Sequence, residues 1–270
     1  MSKPRVLILG GGFAGVATAR GLERAGKKRA HVTLVNRDNF MLFTPMLPEV
    51  AAGSLAARDI MQPLRAGCAT FELGEAVGAD LAHRTVSVRH PLTHETKLLE
   101  YDELVIAVGA TGSTMGIPGV TKFAVPLKTI ADAEMIRSKV VGALEVAART
   151  ADLQERDRLL RFVIIGGNFT GVELTGELDA FLRSILDYYP SIDPQQVEVH
   201  LLDAGERLLG HLPAKFGRHA AGVLAARGTR LRLKQEVNAV DSRGVELKSG
   251  ERIASATVLW AAGEKPSPLA

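Results

Sequence analysis

The 270-residue chain contains one cysteine, Cys68, which excludes an internal disulfide and any Cys-x-x-Cys redox pair. A lone thiol reads either as a reactive group or as an inert small apolar side chain. No run approaches the ~18 to 20 apolar residues of a membrane-spanning helix, and Met1 to Arg5 leads directly into an apolar run, leaving no room for a signal peptide. Histidine is sparse. His90 and His94 have the offset of a helical metal site, but Pro91 and the polar run THETK place them in a turn between strands; the other five are isolated, and no metal is expected. No Ser/His/Asp or Cys/His nucleophile constellation stands out, so any chemistry must be supplied by a cofactor. Net charge is only +3, and the basic residues are scattered. The segment Arg227 to Lys234, RGTRLRLK, alternates as a half-exposed strand does, so no nucleic-acid partner is expected. These absences place the chain in the cytoplasm or at the cytoplasmic face of the cell membrane.

What is present is a repeated design. At 46% hydrophobic content the chain can bury a sizeable core, and its length suits two domains. Two glycine-rich turns, GGGFAG at Gly10 to Gly15 and GGNFTG at Gly166 to Gly171, each follow an apolar run and open a helical pattern. In the first, Val6 to Leu9 reads as a buried strand and Val16 to Leu22 as a helix. Gly10 permits a tight turn, Gly12 lets backbone approach a pyrophosphate, Gly15 allows close helix-strand packing, and the helix N-terminus supplies amides and positive potential. The next strand, His31 to Val35, ends at Asn36, about 20 positions on, where a carboxylate normally accepts the ribose hydroxyls. Asn36 can hydrogen-bond a ribose but carries no charge. The competing reading is a Rossmann-like core with an empty site.

The second turn follows the strand Phe162 to Ile165 and opens a helix over Val172 to Leu186. Its middle glycine is replaced by Asn168, whose side chain could crowd a pyrophosphate or, Asn being tolerant of positive φ, donate a hydrogen bond to it. The strand Val197 to Leu202 ends at Asp203. A carboxylate there favours the free ribose hydroxyls of NAD and repels the extra phosphate of NADP; alternatively Asp203 caps a loop. Elsewhere Ala69 to Leu73, Thr85 to Arg89 and Lys97 to Leu99 read as strands, Glu103 to Val108 as a buried strand running into a Gly-rich segment that ends at Pro118, and Thr129 to Asp157 as one helical stretch. Arg230 to Val237, Gly244 to Leu247 and Arg252 to Ile253 suggest short strands before TVLWAAGEKPSPL.

Together the two turns, NRDNFMLFTPMLPEVAAG at Asn36 to Gly53, VIAVGATG, GGNFTGVELTGEL and the closing TVLWAAGEKPSP resemble the two-dinucleotide flavoprotein reductases, and within them the type II NADH dehydrogenases, over essentially the whole chain. The resemblance implies an α/β fold of two Rossmann-like dinucleotide-binding domains, each of three-layer ββα type, with an NAD domain inserted into an FAD domain: residues 1–118 for FAD and 119–270 for NAD, the C-terminal return of the FAD domain being absent. It implies that Gly10, Gly12, Phe13, Ala14 and Gly15 contact FAD, with Asn36 and Arg37 at the adenosine ribose. Ala110, Thr111 and Gly112 return to the FAD, and Phe43, Thr44 and Pro45 lie near the flavin ring, unless that Pro-containing loop is packed for structural reasons alone. Gly166, Gly167, Asn168, Phe169, Thr170 and Gly171 would hold NADH with Asp203 at its ribose, while Ala262 and Gly263 approach the nicotinamide.

Glu173 is the catalytic candidate implied by the resemblance, in a position facing the gap between nicotinamide and flavin, with Glu177 as its same-face alternative. A carboxylate there can hydrogen-bond the carboxamide and fix the nicotinamide over flavin N5, which is what hydride transfer requires. Its bland alternative is a first-turn acid complementing the helix dipole. The implied activity is hydride transfer from NADH to FAD, then two electrons to a quinone. Peripheral membrane association through a further C-terminal region and a homodimer are compatible with it. Lack of a cysteine pair removes disulfide-reductase and sulfide-oxidising chemistry. The other readings are a flavin-free NAD-binding sensor or interaction module, and an FAD reductase with a soluble acceptor.

Overall fold

The computed structural model describes residues 3–25, 29–66 and 70–270. Cys68 and the start of the expected strand at Ala69 lie outside the described residues. The chain divides into two compact units. Unit 1 comprises residues 1–43, 58–111 and 265–270; unit 2 comprises residues 44–57 and 112–264. A single cut near residue 118 therefore does not describe the division, because the chain makes a short early excursion into unit 2 and returns to unit 1 at its end.

Unit 1 begins with β1 (Arg5–Leu9), α1 (Phe13–Arg24) and β2 (His31–Asn36). A short antiparallel pair, β3 (Phe40–Leu42) with β4 (Met61–Pro63), follows. Then come β5 (Thr70–Leu73), β6 (Glu75–Asp80), β7 (Thr85–Arg89), β8 (Thr96–Glu100) and β9 (Glu103–Ile106). The parallel sheet has the order β5-β2-β1-β9. Side chains alternate across a strand, and β1 uses both faces. Val6 and Ile8 pack with Val16 and Ala19 of α1, Leu34 and Phe71, whereas Leu7 and Leu9 pack with Val86, Val88 and Tyr101 beneath the antiparallel sheet β6-β7-β8. Helix, parallel sheet and antiparallel sheet thus form three layers around two apolar seams. The unbroken apolar run from Val6 to Leu9 is the consequence of burial on both sides. Strand β6 carried no clear sequence signal, since four of its six residues are exposed. The chain leaves unit 1 through β10 (Ala110–Gly112).

Unit 2 contains α2 (Leu47–Ala52) from the early excursion, then α3 (Val120–Phe123), β11 (Ala124–Pro126), α4 (Ile130–Ala147), α5 (Leu153–Leu160), β12 (Arg161–Ile165) and α6 (Phe169–Ile185). There follow β13 (Glu198–Leu202), α7 (Ala214–Ala226), β14 (Arg230–Arg232), β15 (Val237–Asp241), β16 (Gly244–Leu247), β17 (Arg252–Ala254) and β18 (Thr257–Trp260), after which the chain returns to unit 1 through β19 (Glu264–Pro266). Its parallel sheet runs β11-β18-β12-β13-β14. Val163, Ile165, Leu202 and Trp260 meet Val240, Val245 and Ile253 of the antiparallel sheet β15-β16-β17 on one face. The alternate residues Phe162, Ile164 and Leu201 are wholly buried on the face covered by α4 and α6. Unit 2 therefore repeats the three-layer plan of unit 1.

Two expected elements divide. Thr129 to Asp157 is not one helix: α4 ends at Ala147, and Asp152 caps α5 by accepting from the amides of Gln154 and Glu155, a stronger start signal than the apolar periodicity that spans the gap. Arg230 to Val237 is two strands, because Lys234 takes φ +55° and the amides of Lys234 and Gln235 turn to the carbonyls of Gly205 and Asp203. No helix of the described residues is long and apolar enough to cross a membrane.

Leu34 has no exposed surface, whereas Leu98 on β8 is 66% exposed. Leu34→Ala is expected to cost about 2 to 5 kcal/mol and Leu98→Ala less than about 0.5 kcal/mol in urea unfolding of the purified chain.

Candidate dinucleotide-binding turns

In unit 1, β1 runs into Gly10, whose φ of +105° and closeness to the Ala107 carbonyl, 2.3 Å from where a Cβ would stand, admit only glycine. Gly15 is equally constrained, since a Cβ there would lie 1.8 Å from the Gly10 oxygen. Gly12 differs. Its backbone is ordinary extended chain, φ −82°, and a Cβ would meet nothing within 4 Å. It opens α1 with no side-chain cap, so the first-turn amides face free space. This is the geometry of an anion cradle that needs close approach. Asn36, at the end of β2, accepts from the Gly11 amide at 2.9 Å while its own amide donates to the Asp38 carbonyl. Asn36 is therefore first a brace for the turn. Arg37 is exposed and paired with Asp38 at 3.4 Å. Phe13, 47% exposed, stands edge-to-face on Phe43 with ring centroids 5.4 Å apart. Ala14, next in sequence, is exposed, as are Ala110 and Thr111 on β10.

The second turn is built the same way within unit 2. Gly166 has φ +119° and lies against the backbone of Ala261 and Ala262; a Cβ on Gly171 would lie 1.7 Å from the Gly166 oxygen. The Gly167 amide donates to Asp203 Oδ2 at 2.5 Å, and the Gly205 amide to Oδ1 at 2.6 Å. Asp203 braces this turn as Asn36 braces the first. Asn168 departs from both sequence expectations. It has φ −81°, so no positive-φ residue is needed, and its side chain folds back: Oδ1 caps α6 by accepting from Gly171, and Nδ2 donates to the Ala261 carbonyl at 2.8 Å. The side chain that stood to crowd a pyrophosphate is instead spent on the turn itself, and the amide donor expected for a ligand is already engaged.

A groove of about 360 Å³ runs beside this turn, lined by Gly167, Asn168 and Asp203 and by residues the sequence reading passed over: Gly205, Glu206, Arg207, Gly210 and His211. Phe169 at the start of α6 meets the His211 ring edge-on at 5.0 Å, and Thr170 follows it in the first turn. Arg207 spends its guanidinium on the carbonyls of Leu212 and Gly210. Glu206 pairs with Lys234, which holds the Glu206 carboxyl below the usual range. The signal for these residues was the loop AGERLLGH directly after the strand-end acid. Ala262 and Gly263 close the neighbouring strand end. Gly263 (φ +73°) packs on Ser113, whose amide donates to the Gly263 carbonyl and whose carbonyl accepts from the Trp260 indole; exposed Gly112 precedes it.

Glu173 is the fifth residue of α6, beyond its first turn, so the helix-dipole explanation has little purchase. It is exposed, and partial desolvation, with the charge of Glu49 second, holds its carboxyl above the usual range. Glu177, one turn on, is half-buried and accepts from the Ser54 hydroxyl at 2.8 Å. Thr44 and Pro45 form the 3-10 turn that leads into α2, which packs on α4 and α6. A Cβ at Gly176, in the middle of α6, meets nothing within 4 Å. Gly176→Ala is thus expected to stabilise the protein by about 0.5 to 1 kcal/mol, and Gly171→Ala, five residues earlier on the same helix, to destabilise it by several times that amount; thermal unfolding of the two variants checks the opposite signs.

The sequence profile of the family described as "Pyridine nucleotide-disulphide oxidoreductase" matches residues 4–270. Among curated proteins the chain is 36% identical to the type II NADH:quinone oxidoreductase NdhA and 34% identical to the type II NADH:quinone oxidoreductase Ndh, both of Mycobacterium tuberculosis, covering 98% of this chain in each case. It spans 57% and 58% of their lengths. Among solved structures, NDH2 from Plasmodium falciparum in complex with NADH matches with a TM-score of 0.91 at 25% identity, over 99% of this chain and 56% of that one. Two three-layer units, a glycine turn at the head of each, and a family match over nearly every residue lead to one conclusion: the chain belongs to the pyridine nucleotide-disulphide oxidoreductase family.

Proposed function

We propose that the chain is the dinucleotide-binding part of an FAD-dependent NADH:quinone oxidoreductase, unit 1 binding FAD and unit 2 binding NADH. The observation that carries this reading is the pair of matched turns in one chain, each with a bracing side chain at the end of the following strand. The names of the similar proteins supply the NADH and the quinone. A bound flavin supplies a two-electron acceptor for hydride and a donor to the quinone. Because quinones partition into lipid, the reading places the complete protein's turnover at a membrane face.

The residues present fit both dinucleotides. Gly12, open to within 4 Å of nothing, and the amides of Phe13, Ala14 and Gly15 receive the FAD pyrophosphate, and Asn36 holds the turn in place. The amides at the start of α6, from Phe169 and Thr170, receive the pyrophosphate of NADH, with Asn168 fixing the helix end. Asn36 braces its turn with the single oxygen of an amide, whereas the carboxylate at Asp203 accepts from two amides, those of Gly167 and Gly205. Each of its oxygens accepts one backbone amide and keeps a lone pair, enough to accept the ribose hydroxyls of NADH while repelling a 2′-phosphate. Glu173 binds the carboxamide and orients the nicotinamide, a contribution realised in hydride transfer rather than in affinity.

Anaerobic addition of NADH to the flavin-loaded chain is expected to bleach the flavin band; a loaded chain that stays yellow contradicts the reading. Glu173→Ala is expected to leave the NADH dissociation constant within about threefold while slowing bleaching roughly tenfold or more. Asp203→Asn, which keeps an acceptor for Gly167 but loses the one for Gly205, is expected to reduce the preference for NADH over NADPH about tenfold, and an unchanged preference would place the selection elsewhere.

A further inference from the structure

The loop that follows Asp203 is fastened chiefly through backbone. The Leu209 amide donates to the Gly167 carbonyl at 2.7 Å, the Lys234 amide to the Gly205 carbonyl at 2.9 Å, and the Gln235 amide to the Asp203 carbonyl at 2.9 Å. Lys234 meets this loop at φ +55°, a conformation that glycine or asparagine adopts at lower cost than lysine. What lysine adds at the bend is its side chain, whose ammonium reaches Glu206 Oε1 at 2.8 Å on the wall of the groove. Both partners are well exposed, and ion pairs of that kind contribute little to stability. The consequence of the pair lies in the charge that the groove presents. Other cations at these strand ends are engaged elsewhere: Arg207 donates to the carbonyls of Leu212 and Gly210, and Arg232 pairs with Glu251 at 2.6 Å. Glu206 also differs from Asp203. The Asp203 carboxylate is bound to the amides of Gly167 and Gly205 and belongs to the turn, whereas Glu206 meets the Lys234 ammonium.

We infer that Glu206 is a second determinant of nucleotide choice, acting by occupying Lys234, the cation that would otherwise receive a 2′-phosphate next to Asp203. This rests on the assignment of NADH to unit 2. The 2′-phosphate of NADPH binds where a cation stands beside the ribose, and a lysine serves there as a point charge. In this chain the Lys234 backbone is tied to Gly205, and that of its neighbour Gln235 to Asp203, which keeps the ammonium close to the strand end that carries the ribose acceptor. Glu206 neutralises that ammonium and adds a carboxylate of its own to the groove wall. NADH, whose ribose carries free hydroxyls, needs no cation at this point. Discrimination then has two parts, repulsion by Asp203 and withdrawal of an attraction by Glu206, and specificity is a difference that either part widens.

The test is the ratio of the NADPH to the NADH dissociation constant, measured by equilibrium titration at low and at high ionic strength, for the wild-type chain, Glu206→Gln, Lys234→Asn and the double variant. Glu206→Gln is expected to lower the ratio about tenfold at low ionic strength, and less at high, because exposed charges are screened. Lys234→Asn, which tolerates the bend, is expected to leave the ratio at or above the wild-type value. In the Lys234→Asn background, Glu206→Gln should change the ratio less than about threefold. A wild-type ratio in Glu206→Gln overturns the inference. So does an equal fall with and without Lys234, which would make the carboxylate act by its own charge alone. In both of those outcomes NADH still binds, and the assignment of unit 2 survives. A folded wild-type chain that binds neither nucleotide overturns that assignment and this inference with it.

Discussion

The hydrogen bond from the second glycine of each turn to the side chain that ends the next strand is the contact on which the rest depends. In unit 1 it is Gly11 to Asn36, and in unit 2 Gly167 to Asp203. A βαβ crossover leaves the first strand, makes a sharp turn, and must aim its helix N-terminus at a fixed point in space. The glycines allow the turn but do not enforce it, because a residue that tolerates many conformations also prefers none. The bond to the strand end selects one. With it in place Gly10 and Gly166 can lie flush against the neighbouring strand ends, and α1 and α6 can pack on the sheet through Gly15 and Gly171, where no side chain fits.

The two units solve this problem with the same backbone and different side chains, and the differences are informative. Unit 1 leaves its helix start uncapped at Gly12, with open space before it. Unit 2 places Asn168 at the equivalent position and uses it as a cap and as a tie to Ala261. Capping removes one unsatisfied amide, that of Gly171, but leaves those of Phe169 and Thr170 facing outward. Both helices then begin with a half-exposed phenylalanine held edge-on by a second ring, Phe43 in one unit and His211 in the other. An exposed aromatic at the rim of an anion cradle is where a flat, partly apolar ligand gains contact area.

Much of this was legible because each signal was local. The strands β1, β2, β12 and β13 are largely buried and were read as short strands from their apolar residues; the turns are fixed by glycines at set spacing. What the sequence concealed was set by contacts distant along the chain. The break after β14 turns on amides that bond back to Gly205 and Asp203; the break between α4 and α5 is the exception, a local cap at Asp152 that the apolar periodicity spanning it masked. The membership of residues 44–57 in unit 2 follows from the packing of α2 on α4 and α6, which no local pattern announces. Asn168 misled for a related reason. Residue type said what its side chain could do, but only the position of Ala261 decided which way it turned.

The central claim is that one chain carries two separate dinucleotide sites, each owned by its own turn. Equilibrium titration of the chain and of Gly12→Val with FAD and with NADH tests it most directly, since Val at a φ of −82° is compatible with the fold yet occupies the space before α1. The account predicts one FAD and one NADH bound per wild-type chain, with FAD lost and NADH binding unchanged in the variant. Loss of both ligands together from a folded variant, or FAD binding that ignores the substitution, would contradict it.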